Sequence, residues 1–330
     1  MTRTQSDSLQ GERKGPGDLP NRVISAPRKV SVVRRILRIP WRAGLAIYRR
    51  LTALLRPGPN VVDFYYRYTP FKRRRPALTP LGFKMAGGNS VHHRGMMAGQ
   101  FESAELACVL ALVDKSDVFV DVGANIGYYA CLARQRNKHV ISVEPQPANL
   151  RFLCANLVAN GWHDAEVYPM GLGKKPGIAV LYGLSSTGAS LLPGWAGAPM
   201  RWRQTIPITT LDTIIGGRFG DKRMLIKIDV EGVEFDVLQG AVATLARAQK
   251  PTFIVEICLN ENAPTGPNPH FQDTFRLFWQ NGYRSWLLDE PRHAVTCDDV
   301  DRWIEQGRTD ANVINFLFTP APGDGKRAAA

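Results

Sequence analysis

Hydrophobic and polar positions change rhythm near residue 100. Before it, apolar residues are set among arginines; after it, short apolar runs alternate with stretches of helical period. Val118–Asp121 is an apolar run ending in an acid and a glycine-containing turn, and Tyr128–Arg136 reads as the helix that follows. The unit recurs, with Val140–Glu144 as a strand and Asn149–Asn160 as a helix that carries Leu150, Leu153, Cys154 and Leu157 on one side. Ala165–Pro169 is a third strand. Ile178–Tyr182 and Gln204–Ile208 are extended runs flanking an irregular insert rich in Gly, Ser, Pro and Trp. Leu211–Ile215 predicts a short helix, Met224–Asp229 a strand, Phe235–Ala246 a helix and Thr252–Ile257 a strand. Phe271–Asn281 follows as a helix, Tyr283–Leu288 as a strand and Val313–Phe318 as the last strand. Strands alternating with helices form a mostly parallel sheet covered on both faces. A helix over Asp298–Glu305 lets the last strand return antiparallel.

Charge divides the chain at the same place. Residues 1–100 carry 20 basic and 4 acidic side chains, and residues 101–330 carry 22 and 25, so the net +13 belongs to the N-terminal part. Residues 1–27 mix Ser, Gly, Pro and charge and read as a disordered tail, as do residues 321–330. Residues 28–100 read as a basic extension, and 101–320 as the folded domain. Within the extension Trp41, Leu45, Tyr48, Leu51 and Leu55 make one apolar helical face, while Arg42, Arg49 and Arg56 share another. Such a helix, within 28–56, either lies on an anionic membrane surface or packs on the body with its arginines in water. The run Lys72–Arg75 reads as a solvated loop. Five scattered cysteines without a Cys-x-x-Cys pair fit a reducing compartment. There is no uncharged apolar stretch of about 18 residues and no secretory h-region. The expectation is a cytoplasmic protein, with peripheral membrane contact through 28–56 as the open question and no statement on oligomeric state.

Candidate chemistry concentrates at three strand ends. Asp121-Val122-Gly123-Ala124-Asn125-Ile126-Gly127 joins a strand to a helix, and its glycines allow a tight turn and close approach of a ligand. Asn125 replaces a glycine of the dinucleotide pattern, which uses its glycines to admit a pyrophosphate. A site for S-adenosylmethionine has no phosphate and needs an acid near the ammonium and sulfonium, which Asp121 supplies. Glu144 ends the second strand, where a carboxylate accepts hydrogen bonds from ribose hydroxyls. Either a nicotinamide dinucleotide or S-adenosylmethionine would use it. At a later strand end, Ile226-Lys227-Ile228-Asp229-Val230-Glu231-Gly232-Val233-Glu234 places Lys227 and Asp229 on one side by alternation. Glu234 suits the start of the next helix.

Together with Glu144-Pro145-Gln146-Pro147-Ala148-Asn149 and Asn156-Leu157-Val158-Ala159-Asn160-Gly161, these motifs resemble the FkbM family of S-adenosylmethionine-dependent methyltransferases. The resemblance runs from about Glu102 to Glu256, more loosely on to Asn315–Phe318, and leaves the first hundred residues unexplained. It implies a class I methyltransferase, a Rossmann-like seven-stranded sheet with its last strand antiparallel. It also implies S-adenosylmethionine over Asp121, Gly123, Asn125, Gly127 and Glu144, and methyl transfer to a hydroxyl of a sugar, glycolipid or polyketide-type acceptor.

An alcohol is a poor nucleophile, so O-methylation gains from a base. Asp229 is the first candidate, with Glu231 and Glu256 next. His92 and His93, in a Gly/Ser-rich approach to the fold, are lesser candidates that read first as solvated residues; His270 and His293 rank below them. No His-x-x-x-His, Cys pair or Asp-x-Asp suggests a metal. In the Gly183–Trp202 insert, Ser185, Ser186, Thr187, Ser190, Trp195 and Trp202 either cover a sugar in the crevice or pack on the body. Three competitors remain. A nucleic-acid methyltransferase would show a polar-Pro-Pro-aromatic tetrad where Asp229–Gly232 stand, and these acids repel phosphates, so no nucleic-acid partner is expected. A nicotinamide-dependent sugar oxidoreductase would have a glycine at Asn125, and a catalytically silent, membrane-anchored module would not require the complete loop.

Overall fold

A computed structural model of the chain describes residues 75–88, 90–183, 188–198, 200–288 and 293–322. All of them lie in the second of two units, which begins at Val62. The expected N-terminal tail, the amphipathic helix with its membrane contact, residues 72–74 of the basic run, Ser185–Thr187 and most of the C-terminal tail lie outside the described residues.

The chain begins with a short antiparallel pair, β1 (Ala77–Leu78) and β2 (Lys84–Met85), then α1 (Val91–Ala98) and α2 (Ser103–Lys115). Strand β3 (Val118–Val122), α3 (Tyr128–Gln135), β4 (His139–Val143), α4 (Pro147–Ala159) and β5 (Glu166–Tyr168) alternate as the apolar runs predict. β6 (Gly171–Leu172), β7 (Gly177–Tyr182) and β8 (Arg203–Thr209) form a separate small sheet in which the two runs flanking the insert pair as a hairpin. Next come α5 (Leu211–Ile215), β9 (Met224–Ile228), α6 (Glu234–Gln239), α7 (Val242–Leu245), β10 (Thr252–Glu256), α8 (Phe271–Gln280), β11 (Tyr283–Leu287), β12 (Ala294–Val295), α9 (Cys297–Gln306) and β13 (Asn315–Pro320).

The main sheet runs β12-β11-β13-β10-β9-β3-β4-β5. From β10 to β5 neighbouring strands are parallel, and β13 inserts antiparallel between β10 and β11. This is the expected doubly wound, mostly parallel sheet with its last strand reversed. The eighth strand, β12, is an addition at the edge: two residues ahead of the Thr296–Asp299 capping box of α9, too short for any periodicity to reveal.

Alternation assigns the faces. Val118, Val120 and Val122 of β3 and Met224, Ile226 and Ile228 of β9 pack in one core layer; Phe119 and Leu225 pack in the other. Asp121 and Lys227 face this second layer too, because they lie two residues beyond Phe119 and Leu225 and sit opposite each other in register. The chain leaves β3 toward β4 and β5, then crosses back to β9 and β10. The switch point between β3 and β9 opens a crevice at the carboxyl ends of the strands. Val122 is level with both Ile228 and Val143, so Gly123, Asp229 and Glu144 emerge side by side.

Two departures have clear causes. The helix expected over Phe235–Ala246 breaks at Gly240–Ala241, where a Cβ on Gly240 would lie 2.2 Å from the Gly173 carbonyl oxygen. The carboxylate of Asp212 then accepts hydrogen bonds from the Ala243 and Thr244 amides and restarts the helix. Upstream, His92 and His93 belong to α1 rather than to a loop. Phe83, Met85 and Met96, on the N-terminal side of residue 101, are buried in the same core layer as Tyr128, Tyr129 and Leu132.

Candidate functional site

A cavity of about 480 Å³ lies over the switch point, with Asp121, Gly123, Asn125, Glu144, Lys227 and Asp229 in its wall. Its volume is that of a small-ligand or cofactor site. The loop after β3 is shaped by packing. Gly123 has φ +86°, and a Cβ there would sit 1.8 Å from the Asp229 carbonyl oxygen. At Gly127, with φ +85°, a Cβ would meet Leu153 at 2.5 Å. The two glycines therefore admit the protein's own β9 end and α4. Gly127 does not line the cavity; Gly123 and Asn125 do.

Asn125 takes a left-handed backbone, φ +52°, and its amide donates to Glu144 Oε2 at 2.8 Å. Glu144 Oε1 accepts from the Gln146 amide at 2.8 Å and from Asn149 Nδ2 at 3.3 Å. Burial pushes the Glu144 carboxyl up to about 7 against these donors. Behind the loop, Nδ1 of buried His93 accepts from the Gly88 amide at 2.8 Å, so Nε2 carries the proton and donates to Asn125 Oδ1 at 2.9 Å. Burial lowers the His93 pKa, consistent with a neutral ring.

A charged group fills the centre. Lys227 is buried, its Nζ 2.7 Å from Asp229 Oδ2 and 5.0 Å from the centre of the Tyr129 ring. Burial opposes its charge, but Asp229, Glu102 and Asp121 hold its pKa above the ordinary lysine value. Asp121 is pushed up to about 7 by burial, and its Oδ2 has no hydrogen-bond partner among the described residues. Asn149 Oδ1 and the Tyr128 hydroxyl, also on the cavity wall, are buried and unpartnered in the same way. Each such atom carries a desolvation cost that a bound donor group would remove.

The remaining acids differ in their engagements. The Glu231 carboxylate accepts from the Gly188 amide at 2.9 Å and Trp195 Nε1 at 2.7 Å, and its carbonyl accepts from Ser190 Oγ at 2.5 Å. It ties the insert to the crevice, and of the two readings of the insert the structure shows packing on the body by Trp195. Gly188, Ala189 and Leu191 line the cavity, while the Trp195 indole is buried against Gly232. Glu256 lines the cavity, and burial followed by the nearby Asp229 charge raises its pKa well above the usual carboxylate range. Glu234 is buried and accepts from the Gly232 and Val230 amides, fixing the turn.

Sequence reasoning missed several contributors. Glu102, at the start of α2, lines the cavity and accepts the Tyr129 hydroxyl on Oε2. Asn156 is fully buried and exchanges hydrogen bonds with both Ala86 backbone groups while donating to the Ile126 carbonyl; Asn160, one turn on, does the same for Lys84. The paired asparagines of the Asn156–Gly161 motif thus staple β2 and its extension to the glycine loop. The i, i+4 spacing was visible, but the Ala86 and Lys84 backbone it clasps lies 70 and 76 residues away. His92 reaches the cavity wall from α1, and His270 stacks on Phe235 elsewhere. Among the described residues no group of three or more His, Cys, Asp or Glu is placed to hold a metal, and no helix is long and apolar enough to cross a membrane.

The Methyltransferase FkbM domain matches residues 121–285, half of the chain. A curated relative, the hexuronic acid methyltransferase AglP of Haloferax volcanii, is 27% identical over 166 residues, which are 47% of this chain and 61% of AglP. Less than two thirds of that relative is therefore matched. Solved structures of similar shape include the O-methyltransferase TomG of Streptomyces achromogenes (TM-score 0.36, 10% identity, 67% of this chain and 80% of TomG). An O-methyltransferase from Bacillus cereus scores 0.35 at 11% identity, covering 66% of this chain and 79% of its own. The fold itself rests on the strand order and register given above.

Proposed function

The chain belongs to the FkbM family of methyltransferases, and from that membership we propose that the crevice binds S-adenosylmethionine and serves transfer of its methyl group to a hydroxyl of a sugar-type acceptor, free or on a glycolipid. The observation that carries the donor half is the set of buried acceptor atoms without partners among the described residues, Asp121 Oδ2 and Asn149 Oδ1, on a wall that also carries the carboxylates of Glu102, Glu144 and Asp229. A donor bearing an ammonium, a sulfonium and ribose hydroxyls supplies what that wall lacks. The sugar acceptor is supported by the relative named for hexuronic acid methylation.

When bound, S-adenosylmethionine supplies an electrophilic methyl group on a positive sulfur. The chain's own work is orientation, charge and one proton. Glu144 has about four acceptor positions, and three are taken by Asn125, Gln146 and Asn149, leaving room for a ribose hydroxyl. Asp121 and Asn149 offer acceptors to the amino-acid end. Asp229 is the base: Lys227 fixes its Oδ2, and the carboxylate lines the cavity, aimed at the proton of an incoming hydroxyl. Glu231 is occupied with the insert and Glu256 is held toward its neutral form, which ranks both behind Asp229. Holding the reactants in line provides much of the rate in such a displacement.

Titration calorimetry with S-adenosylmethionine tests the donor half. Glu144→Gln should weaken binding about tenfold or more with little change in Tm. Wild-type protein that ignores S-adenosylmethionine and binds NADH would overturn the reading. Asp229→Asn should keep donor binding and lose transfer of the labelled methyl group.

A further inference from the structure

One wall of the cavity has no part in the scheme above. His92 of α1, Phe101, Glu102 and Tyr128 of α3 line it together. Phe101 is packed edge-on with His92 and Tyr128, at ring-centre distances of 6.0 and 5.7 Å. The Tyr128 side chain is 1% exposed, and its hydroxyl has no partner among the described residues. Glu102 adopts φ +46°, a left-handed backbone that costs a non-glycine residue about 1–2 kcal/mol. Oε2 is held by the Tyr129 hydroxyl, and no described residue bonds the other oxygen. Strain retained at a cavity-lining side chain points to a use for that side chain.

We propose that His92, Phe101, Glu102 and Tyr128 form an acceptor subsite that takes an uncharged polyhydroxylated ring and turns away a ring bearing a carboxylate. Aromatic edges and faces suit the C–H surface of a sugar. A fixed carboxylate with one oxygen that no described residue bonds accepts sugar hydroxyls, and the Tyr128 hydroxyl, without a partner among the described residues, gains one. The charge argument sets the class. Glu102, Asp229 and Glu231 line the cavity, and the sole lysine or arginine among the described lining residues, Lys227, is already committed to Asp229. A carboxylated acceptor would enter beside these acids, with no uncommitted lysine or arginine among the described lining residues to meet it. The preference is thus the opposite of what the name of the AglP relative says of that protein. The inference rests on the methyl-transfer reading for its acceptor, but its test does not require turnover.

Protein loaded with S-adenosylhomocysteine is titrated with a methyl hexopyranoside and with the matching methyl hexuronoside, followed by saturation-transfer NMR. The hexopyranoside should bind at least about tenfold more tightly. Glu102→Gly, in which relief of the left-handed backbone offsets the lost Tyr129 acceptor, should leave the protein folded, leave S-adenosylhomocysteine binding intact and abolish hexopyranoside binding. Glu102→Gln should restore part of that binding and admit the hexuronoside. Equal or tighter binding of the hexuronoside, absence of binding by both sugars, or hexopyranoside binding untouched in Glu102→Gly would each overturn the subsite. Failure to bind S-adenosylhomocysteine at all would instead strike the donor reading.

Discussion

At the scale of the residue, the glycine loop separates what spacing reveals from what packing decides. The Gly123 and Gly127 positions were legible because a strand, a turn and a helix follow in so few residues. Their reason was not: the space a side chain would take is filled by the Asp229 carbonyl and by Leu153, both distant in sequence. Gly123→Ala combines a 1.8 Å clash against backbone with φ +86° and should cost about 2 kcal/mol or more. Chemical denaturation would measure it, and a loss under half that size would mean the loop yields easily. His93 was misjudged for a related reason. A histidine among glycines and serines looks solvated, yet α1 buries it and uses both ring nitrogens to hold Gly88 and Asn125.

Among the elements, fully buried strands were the easiest to read, since β3 and β9 are apolar on both faces apart from Asp121 and Lys227 near their ends. Helix α2 was harder, because Leu106, Cys108, Val109, Leu110, Leu112 and Val113 leave no clean polar stripe to mark one side. The insert between β7 and β8 could not be placed from composition, because its position depends on Glu231, whose own backbone is left-handed at φ +61°. Glu231→Ala removes the acceptor of the Gly188 amide and the Trp195 indole together. Hydrogen exchange in the segment from Gly188 to Gly197 should then speed up about tenfold or more, while β3 and β9 stay protected. Unchanged protection there would show that Trp195 packing alone holds the insert.

For the molecule as a whole, the sheet order brings several carboxyls out of water. Burial pushes Glu105, Asp121, Glu144 and Glu234 up to about 7, each from an ordinary value near 4. Folded protein therefore binds more protons than unfolded chain between roughly pH 4.5 and 7. The stability these groups contribute is present below that window and is lost as pH rises through 7. One such shift is worth about 3 kcal/mol. Glu166 works in another range: burial opposes it, but Arg218 leads the groups that hold it near 2, so its contribution is present above about pH 4.5 and is lost as pH falls through 2. His93, lowered by burial, tempers the gain toward pH 5. The Tm of ligand-free protein, followed by differential scanning fluorimetry, should rise from pH 8 to pH 6. S-adenosylmethionine, which favours the ionised carboxyls, should shrink that rise. A Tm that falls over the same interval would refute the assignment of buried, neutralisable acids. The parallel sheet and the site's strand-end positions were legible in the sequence; this collective acidity was not, because it depends on which side chains the fold isolates together.

The stapling of β2 by Asn156 and Asn160 bears on where the catalytic body begins. Residues matched by the family start at Asp121, but the flank of α3 is roofed by Phe83, Met85 and Met96. A piece cut to the matched span would bare an aromatic wall and leave the asparagine amides without the backbone they clasp. The stretch ahead of the signature is masonry in the same arch, and an excised core would come down without it.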